Sequence, residues 1–336
     1  NLSHIKKMTT RYGIIQFAKF SLPNIKSGYT LDDNARALIA ICQHYEIYQN
    51  QPDFSLINTY LEFIKFCFQA NGQILNYVNE QSQFTNQNFD ENIEDSRGRT
   101  IWALGYVCSL HNILPINLTN EAHNLLEKSL LNIDKIYSTR AIAFIIKGLY
   151  YQHKNTNILE MFADRLYQMY QHEKTTEWHW YESYLTYGNS LLPEAMLCAF
   201  IRTKKIKYKT VAKESFDFLL SKIFVQDKIK VISNKGWHYK DKIMEHVVGG
   251  EQPIDVTYTI LALEKFYTEF KKIDFKLKAI TAFNWFLGYN HLNQIVYNPC
   301  TGGCYDGVEE FNVNLNQGAE STISYLLAKL AIERIS

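Results

Sequence analysis

The chain has 336 residues, 46% of them hydrophobic, and its 35 basic side chains nearly balance 34 acidic ones. This excludes a disordered chain, and a net charge of +1 supplies no global field for nucleic acid or an anionic membrane. With Gly only 15 and Pro only 6, against usual shares of about 7% and 5%, turns are too scarce for a β-sandwich, barrel or propeller, and a soluble, mostly helical globule remains.

A short helix candidate opens the chain at 2–9. Apolar residues at helical spacing then run over 34–48 (Ala37, Leu38, Ile41, Cys42, Tyr45), and a second pattern covers 53–70. A long polar loop follows at 71–94. The cycle restarts at Arg97 with Ile101, Trp102, Leu104, Gly105 and Cys108, and its partner covers 119–135. Further pairs are 140–152 with 156–172, 191–203 with 211–223, and 255–270 with 275–289, and a last helix covers 320–334.

These helices are of two kinds. Six begin near 33, 96, 139, 190, 254 and 319 and are rich in small residues such as Ala35, Ala37, Ala103, Gly105, Ala141, Gly148 and Ala195. Small residues permit the close approach that a buried inner ring requires. The intervening helices carry more Lys, Glu, Asn and Gln, which suits an outer ring with a solvated face. Twelve helices in six hairpins predict an all-α, closed (α/α)6 toroid formed as one domain over 1–336. Links within hairpins are short (49–52, 153–155). Links to the next inner helix are long (71–95, 173–189, 224–252, 290–318), except for 136–138. The long links are expected on one rim, where loops on a rigid scaffold carry function.

The first residues, Asn1-Leu2-Ser3-His4, show neither an initiator Met nor a signal-like stretch, so the chain reads as trimmed, mature or a piece of a longer protein. No apolar run approaches the ~18 residues of a membrane span. Cys42, Cys67, Cys108 and Cys198 fall in apolar helical patterns, where free buried thiols are expected, and this points to a reducing compartment, the cytoplasm. Cys300 and Cys304, four apart, fit neither a zinc ribbon nor a redox pair. No metal or cofactor is expected. His238, His246 and His291 lack ligand spacing and read as loop histidines or substrate contacts.

Each inner helix start points into the loop-bearing rim. Asp32, Asp33, Glu94, Asp95, Glu194, Glu251, Asp255 and Glu320 cluster at these starts. Capping explains any one of them, because acids are favourable in a first turn. Their convergence on one funnel points further, since carboxylates sharing a partly dry site raise each other's pKa. Arginine repeats at the same places, as Ala35-Arg36-Ala37, Ser96-Arg97-Gly98 and Thr139-Arg140-Ala141, where a cation opposes the helix dipole. Pairing across the ring and ligand binding both explain it. The loop 177–187 adds Trp178, Trp180, Glu182 and Tyr187, and Trp102 and Trp237 fall near the rim. Aromatic faces beside carboxylates suit a sugar, although loop anchoring is the plainer reading. Trp285 lies in an outer helix and reads as core.

The motifs Gly28-Tyr29-Thr30-Leu31-Asp32-Asp33-Asn34-Ala35-Arg36-Ala37, Glu94-Asp95-Ser96-Arg97-Gly98-Arg99, Trp180-Tyr181-Glu182 with Leu185-Thr186-Tyr187-Gly188-Asn189, and Thr301-Gly302-Gly303-Cys304-Tyr305-Asp306-Gly307 with Asn316-Gln317-Gly318-Ala319-Glu320-Ser321-Thr322 spread over nearly the whole chain. They resemble the six-hairpin glycosidase-like superfamily. More narrowly, they are similar to bacterial α-toroid proteins found fused or adjacent to glycosyltransferases. The narrower group often has Asp where this chain has Gly188. The resemblance implies a glycan or oligosaccharide ligand and a glycosyltransferase partner, in a superfamily of hydrolases, lyases, epimerases and non-catalytic members.

A glycoside hydrolase is therefore expected, with its acid/base pair drawn from Asp33, Asp95, Glu182 and Asp255. The expected sugar contacts are Tyr29, Asp32, Arg36, Arg97, Trp102, Trp178, Trp180, Tyr187, Asn189, Glu194, Trp237, Glu251, Asp306 and Glu320. The alternative is a non-catalytic glycan-binding or scaffolding module. An epimerase ranks lower, because no His stands at an inner helix start.

Overall fold

The computed structural model describes residues 1–242 and 247–336. In chain order its helices are α1 (Ser3–Met8), α2 (Leu31–Tyr48), α3 (Asp53–Cys67), α4 (Gln87–Asp90), α5 (Glu94–Ser109), α6 (Ile116–Ser129), α7 (Thr139–Gln152), α8 (Thr156–Glu173), α9 (Leu191–Thr203), α10 (Ile206–Ile223), α11 (Pro253–Phe270), α12 (Ile273–Asn284) and α13 (Ala319–Ile335). The inner starts agree with the periodicity to within two or three residues. Outer helices differ more: α6 and α10 begin earlier than their apolar pattern, at Ile116 and Ile206, because apolar and polar residues alternate through both first turns and break the helical spacing. A 3-10 turn at Ile133–Lys135 replaces the expected end of α6.

The ring is closed. Helices α2, α5, α7, α9, α11 and α13 pack in that order, and α13 returns against α2. Each is backed by an outer partner: α3, α6, α8, α10, α12 and, behind α13, the short α1. The inner helices are buried nearly all round, as their small and apolar residues require. The core therefore lies between the two rings.

The α5/α7 crossing is the tightest point. A Cβ on Gly98 would stand 2.6 Å from the carbonyl oxygen of Ala141, and Cβ atoms on Gly105 and Gly148 would be closer still to the Gly148 and Ile101 carbonyls. Backbone meets backbone there, so no side chain fits.

Local chemistry starts and stops the helices. The Thr30 hydroxyl accepts from the Asp33 N–H at 3.1 Å and donates to the Asp33 carboxylate at 2.8 Å, which caps α2 reciprocally. Ser138 caps α7 through the Ala141 N–H at 3.3 Å. At the other ends, Gln49, His153, Lys204 and Lys271 take the left-handed conformation that stops α2, α7, α9 and α11. Non-glycine residues thus fill these stops in a chain poor in Gly.

The long links gather on the rim and are stitched into short antiparallel pairs. Tyr29–Thr30 pairs with Tyr77–Val78, Tyr184–Leu185 with His238–Tyr239, and Glu251 bridges to Val308. Among the described residues no helix is long and apolar enough to cross a membrane.

Candidate active site

A cavity of about 290 Å³ opens among the rim loops. Its lining is mostly polar and includes Asp32, Asp33, Arg36, Glu251, Asp306 and Glu320, all expected from the sequence. These residues come from the N-terminal ends of α2, α11 and α13 and from the 290–318 link. Three helix N-termini therefore face one space, and their dipoles favour the anions gathered there.

Arg36 organises the acids. It is almost fully buried and forks to Asp33 at 2.7 Å and to Glu320 at 2.9 Å, with Asp32 at 3.9 Å. Asp32 also pairs with Arg99. Burial works against ionisation of Asp32, but Arg99 and Arg36 outweigh it and hold its carboxyl below the usual range. Asp33 goes the other way. Burial and the neighbouring Glu320 charge overcome Arg36 and push it up to about 6. Two adjacent carboxyls thus sit in opposed environments. Burial also raises Glu251 and Asp306. The side chain of Glu320 is 43% exposed, the most open of the Arg36-bound acids.

A supporting layer fixes these groups. The Asn76 side chain accepts from the Asp32 N–H at 3.0 Å, and Asn88 accepts from the Asn76 N–H at 2.6 Å. The Trp285 indole donates to Glu251 at 2.7 Å, so this core residue also positions a cavity acid. Asp306 accepts from the Gly318 N–H at 2.8 Å and ties its loop to the start of α13.

The other expected residues lie elsewhere. Asp95 accepts from Ser138 at 2.5 Å and from the Tyr187 hydroxyl. Glu182 is engaged by Arg140 at 2.5 Å and Thr139 at 2.8 Å. Asp255, just outside the cavity lining, accepts from the Gly188 N–H at 2.6 Å. Asn189 clamps its own loop through Thr186 at 2.7 Å, and Tyr29 bonds Thr10 at 3.1 Å. Arg97 points outward and donates to the Ser129 carbonyl at 2.8 Å, closing the end of α6. Glu194 lies deeper in the ring, paired with Lys147 at 2.8 Å.

The tryptophans divide. Trp178 and Trp180 are 4% and 0% exposed and pack with Phe218 and Tyr181, so neither offers a face to a ligand. Trp102 is buried in the ring interior, stacked on Phe144 with Lys147 3.7 Å from its centroid. These three are corrections to the expected sugar contacts: apolar burial won over exposure. Trp237 is 47% exposed, stacked on Tyr184, and lines a shallow groove with Asn234, Tyr239 and Lys242.

Arg99 is the main residue that sequence reasoning missed. It stands one helical turn beyond Asp95, as Arg36 does beyond Asp32, and this i, i+4 step was the available signal. His238 packs on Trp178, His291 lies 3.3 Å from Glu251, and His246 falls outside the described residues. Among the described residues, no cluster of His, Cys, Asp and Glu is arranged to hold a metal ion.

Asp255 gives a pH prediction. Burial pushes its carboxyl up to about 7 from an ordinary 3.8, against the opposing Gly188 N–H. The folded state then holds a proton that the unfolded state releases, so stability falls as pH rises from 3.8 towards 7. Asp255→Asn keeps the acceptor and loses this term. Urea titrations across that range should show a flatter profile, by on the order of 4 kcal/mol.

No sequence-family profile matches the chain, and no curated protein matches it in sequence. Solved structures do match in fold. A cellobiose 2-epimerase from Bacillus thermoamylovorans superposes with a TM-score of 0.72 at 12% identity, covering 99% of this chain and 95% of that one. A D-mannose isomerase gives 0.68 at 14% identity, covering 99% and 97%. An α-1,6-mannanase from a Salegentibacter species, an inactive variant bound to α-1,6-mannotriose, gives 0.66 at 8% identity, covering 99% and 96%.

Proposed function

We infer from the (α/α)6 toroid, the fold also of the cellobiose 2-epimerase, the D-mannose isomerase and the α-1,6-mannanase, that this chain acts on a carbohydrate. We propose that this protein hydrolyses a glycosidic bond in the rim cavity, with Asp33 as general acid and Glu320 as the base that activates water. The observation that carries this reading is the split between Asp33, raised to about 6, and Asp32, held ionised beside it. Asp33 gives its proton to the glycosidic oxygen as the bond to the anomeric carbon breaks. Water attacks that carbon, and Glu320 takes the water proton. Asp32, Glu251 and Asp306 stabilise the positive charge that develops on the sugar. In the Salegentibacter mannanase two consecutive aspartates are replaced in the inactive variant, and this chain carries consecutive Asp32 and Asp33 in its cavity. The six cysteines are all unpaired, which supports a cytoplasmic setting.

The test is release of reducing ends from a panel of manno- and gluco-oligosaccharides. No cleavage of any member would sink the hydrolase reading. Trp237 serves as an outer sugar platform in this scheme. Trp237→Ala should raise KM for long oligosaccharides about five- to tenfold, the loss of a stacking contact of about 1 kcal/mol, and leave kcat unchanged.

A second reading is a non-catalytic glycan module working with a glycosyltransferase. It is favoured by the engagement of both Asp33 oxygens, one by Arg36 and one by Thr30. Calorimetric affinity for a glycan without turnover would select it.

A further inference from the structure

The net charge of +1 is unevenly spread. The first 31 residues hold Lys6, Lys7, Arg11, Lys19 and Lys26 and no acid at all. Among the described residues none of these five cations forms an ion pair. Two of them, Lys19 and Lys26, flank a tight hairpin on the rim. Ala18–Lys19 pairs antiparallel with Leu22–Pro23, so Phe20 and Ser21 make the turn. The hairpin exposes Phe17 (53%), Phe20 (57%), Leu22 (65%) and Ile25 (56%).

Phe20 is the informative residue. Its φ is +52°, at the first central position of a two-residue turn, where glycine is the favoured residue. A bulky aromatic is strained there, and such strain persists only where surrounding structure enforces it. The enforcing contacts are present. The Phe20 N–H donates to the Asn316 side chain at 2.9 Å, and its carbonyl accepts from the Gln317 N–H at 2.9 Å. A pinned backbone therefore holds an aromatic ring out in solvent. Leu315, next to this anchor, is exposed as well, and Phe17 also lines the cavity mouth.

We propose that the 17–26 hairpin docks the protein on an anionic lipid surface. Phe20, Leu22 and Ile25 enter the headgroup–acyl boundary, while Lys19 and Lys26 meet the lipid phosphates. An apolar protein groove would match the rings, but it would not call for a run of cations without acids. Because Phe17 belongs to both features, docking turns the cavity mouth towards glycans carried on that surface. The proposal is independent of whether the cavity hydrolyses.

The test is co-sedimentation of the full chain with vesicles of phosphatidylcholine, alone or in a three-to-one mixture with phosphatidylglycerol. Binding to the mixed vesicles should exceed binding to the neutral ones about tenfold and fall as salt is added. Phe20→Gly should lose about as much, with Tm unchanged or raised because the strained turn is relieved. Lys19→Glu with Lys26→Glu should abolish the preference for anionic lipid. Equal sedimentation with both vesicle types, no sedimentation, or full binding by Phe20→Gly would overturn the proposal. A dimer in sedimentation equilibrium without lipid that Phe20→Gly dissolves would also overturn it, by showing a protein contact instead.

Discussion

Replacing Asp33 with Asn is expected to lower turnover of a cleavable glycan by about 10³-fold, the usual worth of a positioned general acid. Asn fits the same space, with its amide oxygen accepting from Arg36 and its NH2 turned to the Thr30 hydroxyl, and Arg36 keeps Glu320. The fold should therefore survive, with Tm within a few degrees of wild type. The pH profile carries the sharper signature. Burial first, and Glu320 second, raise Asp33 to about 6, so its proton is held up to that pH and lost above it. For an acid that must donate, kcat/KM should fall as pH rises through about 6. Full activity in Asp33→Asn, or a profile with no limb near that value, would remove Asp33 from the mechanism.

Gly105→Leu should be the most damaging substitution for stability. The residue faces the backbone of Gly148 on the neighbouring inner helix, closer than any Cβ permits. Neither partner is a side chain that can swing away, so α5 and α7 must separate. Overpacking usually costs about 1–3 kcal/mol, and separation of two inner helices should cost about 4 kcal/mol or more. Chemical denaturation should show a correspondingly lower midpoint or no folded baseline. Gly72→Leu is the comparison: nothing lies within 4 Å of a Cβ there, so its cost is only that of a side chain in the left-handed region at φ +85°, about 1–2 kcal/mol. An equal loss at both positions would mean that the cost is not specific to the α5/α7 crossing, and would remove ring packing as its cause.

The site was only partly legible in the sequence. Asp33, Asp32, Arg36, Glu251, Asp306 and Glu320 were all named from their positions at helix starts, and all six line the cavity. The arginine triplets misled at one point. Arg97 stands two residues beyond Asp95, about 200° around the helix, and faces an outer helix end; Arg99, at four residues, faces Asp32. The aromatic-rich loop misled at another. Trp178 and Trp180 read as a sugar platform, yet they are consumed in packing against Phe218 from α10. Composition cannot separate an aromatic that anchors a loop from one that greets a ligand.

The sequence by itself determined the helices, their division into inner and outer kinds, the sixfold closure and the rim that carries the long loops. These follow from periodicity and residue size, which are local and can be read in windows of a few turns. Only the tertiary structure decided which carboxylates meet and which of them hold protons. Asp33 owes its raised pKa to burial and to Glu320, and Asp32 its lowered one to Arg99, residues far apart in the chain. Electrostatic coupling acts through space, and folding alone sets those distances.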